Sequence, residues 1–263
     1  MQDKEINRMN QHWDSQQYTE NFAFVHQYGN DVAELIDMTN VSSILDLGCG
    51  NGALSKRFAD QGLYVTGMDA SEDMLAIARN TNPDITFLHG DATSFQLEQP
   101  VDVVFSNAVF HWIEKNRQPH MMQHVHKALK DNGQFVLEMG GYGNNRLIHE
   151  ALDGAFTQHG LSYKMHFYFP TIGEYSVLLE ESGFQVTHAF LFDRPTVLHG
   201  EDGLSDWIHM FINKPFEGVA DSEKEELIEM AVSELKPVLY QDNHWYADYV
   251  RLRMRAIKQR MTR

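Results

Sequence analysis

The sequence predicts an α/β chain, with helices wound onto both faces of a mostly parallel, seven-stranded sheet. Three observations carry this reading. Between residues 41 and 138, apolar runs of strand length alternate with segments of helical periodicity. The first of these runs, Ile44-Leu45-Asp46-Leu47, leads directly into Gly48-Cys49-Gly50-Asn51-Gly52 and a helix start, the strand–turn–helix context in which backbone N–H groups can approach a ligand. With 263 residues and 43% hydrophobic content, the chain can bury a full core.

Residues 1–38 read as helical, because Phe22, Val25, Tyr28, Val32, Leu35 and Ile36 recur on one face. Strands are predicted at 43–47, 64–68, 85–88, 101–105 and 133–138. A helix starts at Ala53, a second covers 71–80 with Ser71 as its cap, and a third covers 118–130, ended by Asp131-Asn132-Gly133. After Met139 the texture changes. Gly140-Gly141-Tyr142-Gly143 reads as a flexible linker, followed by helices at 145–158 and 171–182, a strand at 184–198, and helices at 203–213 and 221–240. In the last element Val250, Leu252, Met254 and Ala256 alternate with Arg251, Arg253 and Arg255, a period-two strand with one basic face. Those arginines read either as the solvated face of a sheet-edge strand or as a cation source for an anionic substrate. The whole, 1–263, is expected to be a single domain: N-terminal helices at 1–40, a ligand-binding half at 41–139, lid and substrate elements with one sheet strand at 140–240, and a closing strand at 245–258.

Composition narrows the function classes. Twenty-one Lys and Arg against 37 Asp and Glu give a formal charge of −16, which repels nucleic-acid phosphates and anionic membranes. The N-terminus lacks the apolar core of a signal peptide and no run reaches the length of a membrane span, so a cytoplasmic protein, monomer or homodimer, with a small-molecule or carrier-bound substrate is expected. Cys49, the sole cysteine, excludes an intramolecular disulfide, and its place in the glycine turn suggests packing. His120, His124 and His126 lack the Glu of a His-Glu-x-x-His site and read as a solvated helix face; no metal is expected.

Three ligand classes use such a turn. A triphosphate needs a Gly-Lys-Ser/Thr ending, which is missing after Gly48. A dinucleotide is compatible with Gly48-Cys49-Gly50-Asn51-Gly52-Ala53 and with Asp69. S-adenosylmethionine has a cationic amino group and no pyrophosphate, so Asp46 beside the turn suits it better. Asp69 can accept the ribose hydroxyls, while Asp91 and the Ala92 N–H in His89-Gly90-Asp91-Ala92 can serve the adenine.

These residues resemble the class I S-adenosylmethionine-dependent methyltransferases over about residues 10–140: Asp-x-Gly-x-Gly-x-Gly, an acidic end to the second strand, and Gly-Asp-Ala after the third. Ser106-Asn107 and the following Trp112 are similar to a signature of the subgroup that includes trans-aconitate methyltransferase and the malonyl-acyl-carrier-protein methyltransferase of biotin synthesis. The resemblance implies a Rossmann-like sheet with an antiparallel last strand and helical lid insertions. It implies S-adenosyl-L-methionine as cofactor, with S-adenosyl-L-homocysteine as product. The implied holders are Asp46, Gly48 and Gly50 for the methionine part, Asp69 with Ala70 for the ribose, and Asp91, Ala92 and Met74 for the base. Asn107 lies at the crevice and Tyr18 over the cofactor.

Methyl transfer is an in-line displacement that needs alignment and exclusion of water. A carboxylate acceptor needs only donors, for which His111, Tyr142, Arg146, Lys214 and the strand arginines are candidates; Trp112 and Trp207 complete the expected substrate set. A hydroxyl or amine acceptor needs a base, for which His111 is the candidate catalytic residue. The expected activity is methylation of a small molecule at oxygen, carboxylate or hydroxyl. A nicotinamide-dependent oxidoreductase and a non-catalytic S-adenosylmethionine-binding module are the alternatives.

Overall fold

Ile44, Leu45, Asp46 and Leu47 are all buried, as expected of a central parallel strand covered on both faces. The computed structural model describes residues 31–259. In chain order the strands are β1 (Ser43–Leu47), β2 (Tyr64–Asp69), β3 (Thr86–His89), β4 (Val101–Asn107), β5 (Leu129–Gly140), β6 (Phe184–Leu198), β7 (Tyr240–Gln241) and β8 (His244–Lys258). The helices are α1 (Ala53–Asp60), α2 (Glu72–Thr81), α3 (Gln118–Ala128), α4 (Arg146–Gln158), α5 (Ile172–Glu181), α6 (Gly203–Phe211) and α7 (Asp221–Leu239). The sheet order is β3-β2-β1-β4-β5-β8-β6, with the two-residue β7 hydrogen-bonded to β8. β1 to β5 pair in parallel, and β8 runs antiparallel to both β5 and β6. The order reverses at β1 and β4, which opens a crevice beyond their carboxyl ends.

Alternation along the strands sends side chains to two cores. Ile44, Val103, Phe105 and Val136 meet Phe58 of α1 together with Val32 and Ile36. Leu45, Leu47, Val104, Phe135 and Leu137 meet Met121 and Val125 of α3 and Tyr175 of α5. Ser71 caps α2 by accepting the Met74 N–H at 3.3 Å, and Glu72 and Asp73 complement the positive end of that helix. α5 starts in a capping box between Thr171 and Glu174. Asp242 and Asn243, at φ 49° and 60°, make the two-residue turn between β7 and β8.

β8 and β6 outrun the rest of the sheet. β5 stays with β8 only as far as Gly140 opposite Arg251; from Val250 back to Trp245 the partner is Asp193–Leu198 of β6. This overhang, about 20 Å at ~3.3 Å per residue, carries a lid. Trp245, Ala247 and Tyr249 join Leu152 and Phe156 of α4, Trp207 and Ile208 of α6, and Leu227 and Ile228 of α7 in a core of their own.

Several expectations need correction. The last strand is interior, between β5 and β6, so its arginines do not form a solvated edge face. Arg251 is 7% exposed. Arg253 shares the buried Glu138 carboxylate with Arg194, at 2.8 Å from Nε and 2.6 Å from the Arg194 Nη1, tying three strands together. Arg255 donates to the Leu35 carbonyl at 3.1 Å. Gly140 and Gly141 are not a flexible linker either: both are buried, and a Cβ there would lie 2.5 Å from Phe169 and 2.4 Å from Leu191. Of the helix-face histidines only His120 is exposed; the His124 ring nitrogen lies 2.5 Å from the Phe95 carbonyl and His126 packs edge-on against Phe184. The helical reading of residues 1–30 falls outside the described residues. Among the described residues no helix is long and apolar enough to cross a membrane.

Candidate active site

The turn after β1 is held across the end of β2: the Gly48 and Cys49 N–H groups donate to the Met68 carbonyl at 2.7 and 3.0 Å. Gly48 has φ +80°, and a Cβ there would lie 2.2 Å from Val109 in the loop after β4, so only glycine fits. At Gly50, φ +53°, the N–H donates to one Asp69 oxygen at 2.8 Å, while the Ser71 N–H donates to the other at 2.9 Å. The Asp69 carboxylate is thereby held by a backbone N–H on each of its oxygens. Burial raises its pKa, and the bonds from Ser71 and Gly50 oppose the rise. Asp46 is 2% exposed and accepts from the Ser55 hydroxyl at 2.6 Å. Burial pushes its carboxyl up to about 7 despite that bond, with the negative charge of Asp69 adding to the rise. Asp91 takes the Thr93 N–H at 2.7 Å on one oxygen and Arg117 at 3.2 Å on the other. Burial works against its ionisation, but the Thr93 bonds and the Arg117 charge leave its carboxyl below the usual range. The Cys49 thiol, buried beside two carboxylates, is pushed far up and stays protonated.

One cavity of about 820 Å³ runs from this turn to the lid. Asp46, Gly48, Gly50, Asp69, Ala70, Met74, Asp91, Ala92 and Asn107 line it at one end; His111, Trp112 and Trp207 line it toward the other. Met74 is buried, with its terminal methyl 3.2 Å from where a Gly50 Cβ would be, so glycine here keeps the wall open. Tyr18 lies outside the described residues. Two expected substrate residues are not brought in. Tyr142 is 65% exposed and Arg146 turns outward to Glu150 at 3.0 Å; neither lines the cavity.

At the lid end, three groups surround Gly140 at the carboxyl end of β5. Its N–H donates to His111 Nδ1 at 3.2 Å. Asn144 packs against it and accepts the Val250 N–H on Oδ1 at 3.0 Å, leaving its NH₂ as a donor. Arg251 is its register partner on β8. All three line the cavity. Burial holds the His111 imidazole neutral, reinforced by Arg251 and His166. With Nδ1 occupied as an acceptor, the neutral ring carries its proton on Nε2 and can donate there.

Sequence reasoning missed Arg117, Asn144, Asn145, His166 and Phe167, all in the cavity wall. Asn144-Asn145 before α4 carried a turn signal but no chemical one. His166-Phe167-Tyr168-Phe169 was the stronger clue: a coil this aromatic must pack against something.

A doubly wound sheet with glycines and carboxylates at its switch point defines a nucleoside-binding α/β protein of the Rossmann-like class. The comparisons go further. The profile of a methyltransferase domain matches residues 44–133. An uncharacterized methyltransferase of Schizosaccharomyces pombe is 30% identical over 264 residues, 94% of this chain and 98% of that one. The trans-aconitate 2-methyltransferase of Rhizobium rhizogenes is 29% identical over 113 residues, 41% of this chain and 43% of the relative. The crystal structure of an S-adenosylmethionine-dependent methyltransferase from Mesorhizobium loti superposes with a TM-score of 0.51 at 22% identity, covering 87% of this chain and 96% of that chain. The chain belongs to the class I S-adenosylmethionine-dependent methyltransferases. Its cofactor is therefore S-adenosylmethionine, and the nicotinamide alternative is set aside.

Proposed function

We propose that this enzyme methylates a small molecule at oxygen, and that the acceptor is a carboxylate. The observation that carries the reading is the Gly140 N–H on His111 Nδ1. On this reading His111 serves as a hydrogen-bond donor toward the cavity and not as a general base, because a base would have to accept at Nε2, where the neutral ring holds its proton. A hydroxyl or amine acceptor would need that base, whereas a carboxylate is ionised at neutral pH and needs donors. His111 Nε2–H, the Asn144 NH₂ and the Arg251 guanidinium supply them. The trans-aconitate 2-methyltransferase of Rhizobium rhizogenes is named for a carboxylic acid, and its match covers 41% of this chain and 43% of the relative.

The residues at the other end fit the cofactor. Asp46 takes the ammonium of the methionine part, Asp69 the ribose hydroxyls, and Asp91 with the Ala92 N–H the adenine edge, while Gly50 leaves room beside Met74 for the ligand. When bound, S-adenosylmethionine supplies an electrophilic methyl on a sulfonium whose leaving group is a neutral thioether. The protein aligns the acceptor oxygen and excludes water. Incubation with labelled methyl donor and a panel of carboxylic acids, phenols and amines tests the proposal. Base-stable transfer to phenols or amines alone would overturn it, and binding without transfer to any acceptor would point to a non-catalytic module.

A further inference from the structure

Arg117 joins two walls of the cavity that the sheet keeps apart. It follows β4 and Asp91 follows β3, and β2 and β1 stand between those strands. Arg117 Nη2 nevertheless donates to Asp91 Oδ2 at 3.2 Å, and both residues line the cavity with side chains 29% and 26% exposed. The arginine's backbone is pinned. Its N–H donates to the Glu114 carbonyl at 2.9 Å, and the next residue, Gln118, is fully buried. Gln118 donates to the Phe110 and Ile113 carbonyls at 2.8 Å each and accepts the Tyr175 hydroxyl at 3.1 Å. The reach from one loop to the other therefore starts from a fixed point.

Asp91 is locked in turn. Its Oδ1 accepts the Thr93 N–H at 2.7 Å and the Thr93 hydroxyl at 2.8 Å, while Arg117 holds Oδ2 and also donates to the Thr93 hydroxyl oxygen. The three side chains close a ring. A carboxylate held on one oxygen can swing the other away from an unsuitable ligand; with both oxygens held, rotation breaks charge-assisted bonds. An oxygen fixed in this way accepts from an amino group and repels a carbonyl in the same place.

Resting on the reading that Asp91 meets the adenine edge, we propose that Arg117 is a specificity-determining positioning residue: by holding Asp91 Oδ2 it makes the cofactor site demand adenine and reject hypoxanthine. The exocyclic amino group of adenine donates to the carboxylate. Hypoxanthine presents a carbonyl oxygen there instead, to a carboxylate that cannot turn aside. Without the guanidinium the carboxylate rotates out of the clash, and the rejected base gains relative to the accepted one.

The full chain is titrated by calorimetry with S-adenosylhomocysteine and S-inosylhomocysteine, which differ only at that position of the base. The native chain should prefer the adenosyl compound by about 100-fold or more, as a site built to pair a donor does. Arg117→Met, which keeps the apolar stem, should cut the preference below about tenfold, and Arg117→Lys, which restores a cation, should recover part of it. An unchanged preference in Arg117→Met, or an equal loss of affinity for both compounds, would overturn the proposal, the second by showing structural support alone. Should the Met variant fail to fold, Arg117→Gln is read in its place. Asp91→Asn separates this role from the reading beneath it, because its amide can turn an NH₂ toward the hypoxanthine carbonyl and the preference should collapse. Collapse there with the preference intact in Arg117→Met removes the role of Arg117 alone; a preference intact in both removes Asp91 from the base as well.

Discussion

The two ends of the cavity are built by different means. At the cofactor end two of the three carboxylates are set by a backbone N–H within two residues or one strand away, Gly50 and Ser71 for Asp69 and Thr93 for Asp91, and the third, Asp46, by the Ser55 hydroxyl at the start of the next helix. At the acceptor end the wall is assembled from the start of α4, the coil before α5, α6 and β8, and one of its bonds, Val250 to Asn144, spans 106 positions. Local backbone geometry fixes the first end, so it tolerates little change and reads out as a motif. Tertiary packing fixes the second, so its chemistry can vary while the donor stays the same.

If that contrast holds, the most damaging substitution is at the cofactor turn. Gly48→Ala places a methyl group into Val109 at positive φ and should cost about 2–3 kcal/mol of stability and more than 100-fold in S-adenosylhomocysteine affinity, read by thermal melting and calorimetry. Asp69→Ala should preserve the fold yet weaken cofactor binding on the order of 100-fold, the worth of hydrogen bonds to a charged group; unchanged affinity would remove Asp69 from the ribose site.

Asp46 makes the contrast pH-dependent. Its carboxyl titrates near 7, and the protonated form has no charge for the ammonium, so cofactor affinity should fall as pH drops below about 7, by up to ~tenfold per unit. Folding runs the other way: an acid with a raised folded pKa loses stability as pH climbs from its unfolded value toward 7, so the ligand-free chain is penalised where binding is best. Asp46→Asn should flatten both profiles. At the other end, Trp207→Phe removes the bond to the Tyr249 hydroxyl at 2.6 Å and should raise the acceptor KM several-fold with cofactor affinity unmoved. A parallel loss of cofactor affinity would mean that the two ends are not separable. Smallest of all, Tyr142→Ala and Arg146→Ala should change kcat/KM less than twofold, since both side chains face away from the cavity; the Arg146–Glu150 pair is worth only about 0.3–0.5 kcal/mol.

The same contrast explains what could be read in advance. Strand–helix alternation located the strands to within a few residues, and the glycine turn marked one end of the cavity because its residues lie in consecutive positions. The strand order was hidden, since periodicity marks Arg251, Arg253 and Arg255 as sharing a face without saying that β8 enters between β5 and β6. Glycine runs suggest mobility, but Gly140 and Gly141 are there to admit Phe169 and Leu191. Sequence also shows that His111 has an imidazole, but not which nitrogen a distant N–H occupies. Tyr142 and Arg146 were close guesses by position; the turn into α4 gives the cavity to Asn144 and Asn145 instead.

The interior place of β8 also governs when the molecule can fold. β6 is made about fifty residues earlier, yet among the described residues its sheet neighbour is β8 alone, so during synthesis it leaves the ribosome as an unpaired strand carrying Phe190 and Phe192. The donor-binding half has every strand it needs once β5 emerges, whereas the lid has no platform until the last strand threads into its gap. An arrested or shortened chain would present a nearly formed cofactor cleft with an adhesive edge, and chaperone demand should concentrate on that interval.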